Sequence, residues 1–173
     1  MTTYTIKPGQ WNFRPLESWR PRFVVRGFSG WAKFDESAWF DWEGDRDARD
    51  WNKLKGLTRY IGANNHHSAI IAWRPAEERG VFEVAAYTNY PGARWIVGEL
   101  VKAKAGEKVH FEAVIYKRKV QYKIQSSLTG HDFRRCTIMR EIGTSIGGAN
   151  NSPGEYGGKA TQEMKIEVEM KIH

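Results

Sequence analysis

Residues 109–116, VHFEAVIY, and residues 120–125, VQYKIQ, decide the fold, because apolar and polar residues alternate along both stretches. Successive side chains of a strand point to opposite faces of a sheet, so this alternation predicts two strands with one buried and one wet face. Residues 117–119, KRK, form the predicted turn between them. A slip of one residue would move the whole apolar set into water, so the register of this hairpin is well specified.

Further strands extend outward from this hairpin. Residues 164–172, MKIEVEMKI, alternate in the same way, and residues 68–74 and 80–88 have strand composition on either side of the polar turn 75–80. Residues 22–43 also have strand composition. No stretch shows a helical period of useful length, and about ten short strands separated by turns predict an antiparallel two-sheet β-sandwich.

Two stretches predict loops. Residues 41–57 are rich in aspartate, and we expect a loop that ends in a short helical turn at residues 50–55, with Asp50 as its cap and Gly56 just after it. Residues 143–159, GTSIGGANNSPGEYGGK, predict a long irregular loop of the kind that often carries function.

Length and composition suit one globular domain. The chain has 173 residues, 40% of them hydrophobic, and it is rich in aromatic residues, with 8 Trp, 7 Tyr and 8 Phe. The net charge of +7 suits acidic partners or a solvated surface. Cys136 is the single cysteine, which excludes an internal disulfide and predicts a small core residue.

No apolar run approaches the length of a membrane span, and the first residues do not resemble a signal peptide. We therefore expect synthesis in the cytoplasm, no membrane partner, and a virion location if the protein is part of a particle.

The closing stretch Ile146-Gly147-Gly148, Ser152-Pro153 and Met164-Lys-Ile-Glu-Val resembles the end of concanavalin-like and laminin-G-like jelly rolls. This resemblance implies a jelly-roll sandwich and a glycan-binding or scaffold role. The same group includes glycosidases with a Glu-x-Asp-x-x-Glu strand. Here the last strand carries only Glu167-Val-Glu169 and lacks the third acid, so hydrolysis is the less favoured alternative.

The middle of the chain resembles small uncharacterised proteins that are encoded by bacteria and tailed phages. The resemblance rests on Trp42, Asp45, Asp50-Trp51-Asn52-Lys53-Leu54, His66-His67-Ser68 and Gly80 with Val84-Ala85-Ala86-Tyr87. It implies no activity.

Residues 1–21 are predicted to form an extended arm, and residues 22–173 the sandwich domain. Pro8, Pro15 and Pro21 exclude a regular helix from the arm. Its apolar rings must pack on something, either on the chain's own domain or on a neighbouring subunit. The candidate assembly residues are Trp11, Phe13, Arg14, Trp19 and Arg20.

Two further sets of residues are candidate sites. Aromatic and amide side chains on loops suit contacts to a glycan, and the candidates are Trp42, Trp51, Tyr90, Asn150, Asn151 and Tyr156. Clustered carboxylates suit calcium, although Arg46 and Arg49 lie among them and favour a salt-bridged loop instead; the acids are Asp41, Glu43, Asp45, Asp47 and Asp50. Calcium is the single cofactor that this pattern suggests.

No catalytic motif is present in the sequence. Adjacent residues on a strand face opposite ways, so His66 and His67 do not suit one metal ion. The glycine-rich loop lacks a phosphate-binding signature, and no nucleic-acid-binding module is matched. We therefore predict a non-enzymatic structural or interaction protein. Its concrete form is a phage capsid decoration or fibre-associated protein that assembles with copies of itself or with a larger particle; the alternative is a carbohydrate-binding, lectin-like module.

Overall fold

The structure is a computed structural model that describes residues 2–15, 20–21, 25–41, 50–58, 68–89, 94–116, 119–126, 140–141, 148–150 and 160–173. Within these ranges, antiparallel strands form two six-stranded sheets, and the one helical element is a single 3-10 turn at Glu36–Ala38. The predicted all-β sandwich is confirmed.

Each sheet combines strands that follow one another along the chain with strands from remote parts of the chain. The first sheet has the order β1 (Thr2–Ile6), β12 (Met164–Ile172), β3 (Gly27–Phe34), β8 (Lys108–Tyr116), β9 (Lys119–Ser126) and β10 (Arg140–Glu141). The second sheet has the order β2 (Arg20–Pro21), β11 (Gly148–Asn150), β4 (Asn52–Thr58), β5 (Ser68–Pro75), β6 (Val81–Asn89) and β7 (Arg94–Lys104).

The hairpin that decided the fold is present in the predicted register. Phe111 of β8 lies opposite Ile124 of β9, and Ala113 lies opposite Tyr122; all four side chains are buried. The polar positions between them, such as His110, are open to solvent. One face of the first sheet therefore belongs to the core and the other is wet, as the alternation requires.

The predicted helical turn at residues 50–55 is wrong, because residues 52–58 form strand β4 and pair with β5. Leu54 and Leu57 are completely buried in the core, which decides the conformation over any local capping preference. Gly56 lies inside the strand, and a Cβ there would run into the backbone carbonyl of Ala69. This glycine allows two strands to approach closely and does not end a helix.

Aromatic rings fill the centre of the sandwich. Phe34 stacks on Phe82 with ring centroids 4.8 Å apart, and Trp73 packs against both, 5.1 Å from Phe34 and 6.0 Å from Phe82. Phe13 meets Trp73 edge-on at 6.5 Å. These contacts join the two sheets and the N-terminal segment in one core.

The N-terminal segment, predicted as an arm, contributes to the sandwich. Residues 2–6 form β1 and pair with β12. The chain then turns back, and Thr5 and Arg14 exchange both backbone hydrogen bonds, at 2.8 and 2.7 Å. Phe13 beside this bridge is completely buried. The described part of this segment therefore packs on its own domain, as one of the two alternatives proposed.

A short capped turn follows β3. The carboxylate of Asp35 accepts a hydrogen bond from the backbone N–H of Ser37 at 2.9 Å. Hydrogen bonds from Ser37, aided by the charges of Lys165 and Lys33, hold the pKa of Asp35 below its ordinary value. This turn ends strand β3 of the first sheet.

Candidate functional site

The wet face of the first sheet carries two rows of functional side chains across four adjacent strands, β12, β3, β8 and β9. Backbone pairing aligns each row, because residues in register on neighbouring strands lie side by side. The first row is Glu169, Trp31, His110 and Gln125. The second row is Lys171, Ser29, Glu112 and Lys123.

These two rows line a groove with a volume of about 420 Å³, which we call the sheet-1 groove. Neighbouring rows are about 7 Å apart, since each strand residue advances about 3.4 Å and every second side chain faces outward. Gly30 lies in the floor, where a Cβ would run into the carbonyl of Glu169. The groove is large enough for a small ligand and combines one large ring with several polar groups.

Trp31 is the aromatic residue whose ring is open to the groove, since Phe111, which also lines it, is buried. Its side chain is half-buried, and the ammonium of Lys108 lies 4.4 Å from the centre of the ring. Such a contact is a cation–π interaction, worth about 0.5–1 kcal/mol where solvent reaches it. The lysine therefore sits over the ring without a strong bond to hold it there.

A serine and a histidine meet at one end of the groove. The hydroxyl of Ser29 is 2.7 Å from Nε2 of His173, and the backbone N–H of His173 donates to the carbonyl of Gly27. Nucleophilic serines use a histidine that a third group orients. Within the described ranges, no carboxylate bonds to the His173 ring, so this pair reads as two hydrogen-bonding groups that fix each other's position.

A second pocket, of about 590 Å³, lies beside the turn between β5 and β6. Its lining is charged and includes Arg74, Glu83 and Lys102, and Nε of Arg74 bonds to Glu83 at 2.7 Å. This pocket is larger than the sheet-1 groove but has no aromatic residue in its lining. We favour the sheet-1 groove because it offers both a ring and hydrogen-bonding groups.

Trp51 does not have the open surface that was expected of a sugar contact. It is only 9% exposed and packs with Ile70 and Tyr87 on the second sheet. The guanidinium of Arg74 lies 4.5 Å from the centre of its ring and occupies that face. The strand pairing of β4 carries Trp51 into this cluster, which the loop predicted for this region did not anticipate.

The other predicted glycan contacts are not placed by the structure. Asn150 is the last residue of β11, whose backbone pairs with Gly56, but its side chain lies outside the described residues. The remaining candidates, Trp42, Tyr90, Asn151 and Tyr156, lie outside the described residues altogether.

The predicted acidic site is described only at its two ends. Asp41 is exposed and Asp50 is half-buried, whereas Glu43, Asp45 and Asp47 lie outside the described residues, as do His66, His67 and Cys136. The described ranges contain no group of three or more potential metal ligands. Calcium binding by this loop stays a prediction.

The predicted assembly residues separate into different environments. Trp11 is 54% exposed, whereas Phe13 is buried in the core of its own domain and is unavailable to a neighbour. The side chain of Arg14 is exposed and its backbone bonds to Thr5. Arg20 pairs through its backbone with Ala149, and Trp19 lies outside the described residues.

The sheet-1 groove was not predicted from the sequence. A signal was present in residues 27–34, GFSGWAKF, where Ser29, Trp31 and Lys33 occupy every second position. A large aromatic residue in the polar half of an alternating strand indicates a contact surface. Its groove partners come from other strands, which the local pattern does not identify.

No helix in the described ranges is long and apolar enough to cross a membrane.

Comparison with known proteins identifies the fold and no family. The chain matches no protein-family model and no curated protein sequence. Among solved structures, it is similar to a GH43 protein, BlXynB of Bacillus licheniformis, with a TM-score of 0.55 and 14% identity over 96% of this chain and 32% of that chain. A mutant of the same protein gives a TM-score of 0.52 at 15% identity, with the same shares covered.

A heptameric SAP-like pentraxin from Limulus polyphemus has a TM-score of 0.49 and 11% identity, over 97% of this chain and 75% of that chain. The chain spans only about a third of the length of the GH43 protein to which it is similar. The part of the GH43 protein that this chain matches is a jelly-roll β-sandwich, so the jelly-roll fold predicted from the sequence is confirmed. At these identities the likeness concerns the fold alone.

Proposed function

We propose that this chain is a non-catalytic glycan-binding module and that the sheet-1 groove holds the sugar. The observation that carries this proposal is Trp31, a half-buried ring set among hydrogen-bonding side chains in a groove of about 420 Å³. The jelly-roll fold is compatible with such a role.

The chemistry of the groove suits a sugar. A pyranose has an apolar C–H face, which stacks on an indole ring, and a rim of hydroxyl groups that donate and accept hydrogen bonds. Gln125 and Ser29 can serve either role, and the carboxylate of Glu112 accepts. The two rows, about 7 Å apart, provide polar partners on both sides of a sugar that lies on Trp31.

Trp31→Ala is expected to weaken glycan binding at least tenfold, because it removes the indole ring on which the sugar is proposed to stack. A tenfold loss corresponds to about 1.4 kcal/mol, within the range for a tryptophan at the centre of a binding site. Affinity electrophoresis through gels that contain soluble polysaccharides, neutral and acidic, measures this effect.

Trp11→Ala is the matched control, since it removes an exposed tryptophan that lies outside the groove. Its retardation should equal that of the unmodified protein. Equal retardation of the two variants, or no retardation by any polysaccharide, contradicts the proposal. Release of reducing ends from a bound polysaccharide contradicts the non-catalytic part.

A structural role in a larger particle is a second proposal, and its concrete form is a phage capsid decoration or fibre-associated protein. The exposure of Trp11 favours it, because a tryptophan that is 54% exposed on a fixed segment leaves apolar area for a neighbouring subunit.

Trp11→Ala is expected to shift an assembled protein toward the 19.9 kDa monomer. Light scattering over a range of concentrations measures the mass, and Trp31→Ala serves as the control that should stay assembled. A single variant is preferable to deletion of residues 1–21, which would also remove β1 and Phe13. A monomeric unmodified protein at all concentrations contradicts self-assembly.

A further inference from the structure

Two lysines lie side by side at the edge of the sheet-1 groove. Lys33 of β3 is in direct register with Lys108 of β8, on the same wet face as Trp31. Side chains in this relation have Cβ atoms about 5 Å apart, and like charges so placed destabilise a sheet. Hydrophobic or oppositely charged residues would suit folding better at these two positions.

The two lysines are not equally neutralised. Lys33 forms an ion pair with Glu167 of β12, with Nζ 2.8 Å from the carboxylate. Lys108 is exposed, and its ammonium lies over the ring of Trp31. Lys108 is therefore a cation held against the ring on which the sugar is proposed to stack, and no described carboxylate forms an ion pair with it.

The acidic residues on this face do not neutralise Lys108. Glu167 is engaged by Lys33, and Glu169 lies 3.9 Å from Lys171. Glu112 belongs to the second row, next to Ser29 and Lys123, whereas Lys108 lies on the other side of the Trp31 row. An anion from outside the chain would therefore improve the electrostatics of the Lys33–Lys108 pair.

We infer that the ligand is an anionic glycan, whose sugar stacks on Trp31 while its carboxylate or sulfate lies between Lys108 and Lys33. This inference rests on the proposed function and names its substrate class. Charge-assisted bonds to two ammonium groups are short and strong, and Lys108 needs only to rotate its side chain off the ring to form one. The net charge of +7 also favours encounter with a polyanion.

The test compares glycans that differ in charge. Polygalacturonate and its methyl ester share one backbone, so stacking is similar and the charge alone differs. Alginate and chondroitin sulfate extend the acidic set, and dextran and arabinoxylan the neutral set. Affinity electrophoresis ranks all of them, and calorimetry at two salt concentrations follows the best binder.

We expect at least one acidic polysaccharide to bind tenfold or more tightly than any neutral one, with weaker binding at higher salt. Lys108→Gln should reduce this preference about fivefold to tenfold. Lys102→Gln is the control, since Lys102 is exposed on the second sheet and its loss changes the net charge equally.

Two outcomes overturn the inference alone. The first is binding of neutral and esterified polysaccharides that equals or exceeds acidic binding and is lost in Trp31→Ala, which leaves the proposed function intact. The second is an equal effect of Lys108→Gln and Lys102→Gln, which would show that only the overall charge matters. Binding to none of the polysaccharides contradicts both the inference and the proposed function.

Discussion

Phe13→Ala is expected to lower the free energy of unfolding by about 3–5 kcal/mol, the range for removing a buried phenylalanine. Phe13 has no exposed surface, and its ring meets Trp73 edge-on. The backbone on its C-terminal side is tied to β1 by the bonds between Thr5 and Arg14, so the segment cannot easily collapse into the cavity. Urea denaturation, followed by far-UV circular dichroism, measures the change.

Trp11→Ala is the control for this measurement. Trp11 lies two residues earlier and is 54% exposed, so its removal should change stability by about 0.5 kcal/mol or less. Similar small effects of both variants would show that the segment behaves as an independent arm. A large effect of Phe13→Ala alone would show that stability of the sandwich depends on it.

Trp73→Ala is expected to lower the free energy of unfolding by about 3–5 kcal/mol or more. The reason is that Phe13, Phe34 and Phe82 all pack against the ring of Trp73. A loss of this size is a large part of the stability of an ordinary domain, so we expect a low yield of folded Trp73→Ala. Trp73→Phe keeps a ring and should remain folded with a smaller loss. The same denaturation measurement applies.

The indole N–H of Trp73 makes Trp73→Phe informative. Among the described residues, this buried group has no hydrogen-bond partner, which costs about 1–3 kcal/mol relative to an apolar group. Its removal offsets part of the lost packing. Combining Trp73→Leu, which removes the ring, with Phe13→Ala gives a double-mutant cycle. Edge-on ring contacts contribute about 0.5–1.5 kcal/mol, and a coupling energy of zero would contradict the packing of the two rings.

The local sequence pattern was sufficient to predict strands that have one buried face and one face in solvent. The β8–β9 hairpin and β12 alternate with period two, and their buried positions are those that the pattern indicates. The pattern failed at β4, where Asp50 and Gly56 suggested a capped turn. Burial of Leu54 and Leu57 overrode that preference, since burial of two leucines outweighs the energy of one cap.

The pattern also did not distinguish exposed aromatic residues from buried ones. Nothing in the residues next to Trp51 and Trp31 shows which of the two rings is covered. One packs in a cluster under Arg74, whereas the other lies in an open groove under Lys108. Which element covers a ring depends on strands that are remote in sequence.

The amino-acid sequence by itself determined that the chain forms strands with one wet face, because the two-residue period of a strand is local and needs no partner. Only the tertiary structure decided which side chains meet on that face. Ser29 lies beside His173, 144 positions later, and Lys33 lies beside Lys108 and Glu167. Strand order and register join these residues, and both follow from packing the whole core rather than from any one segment.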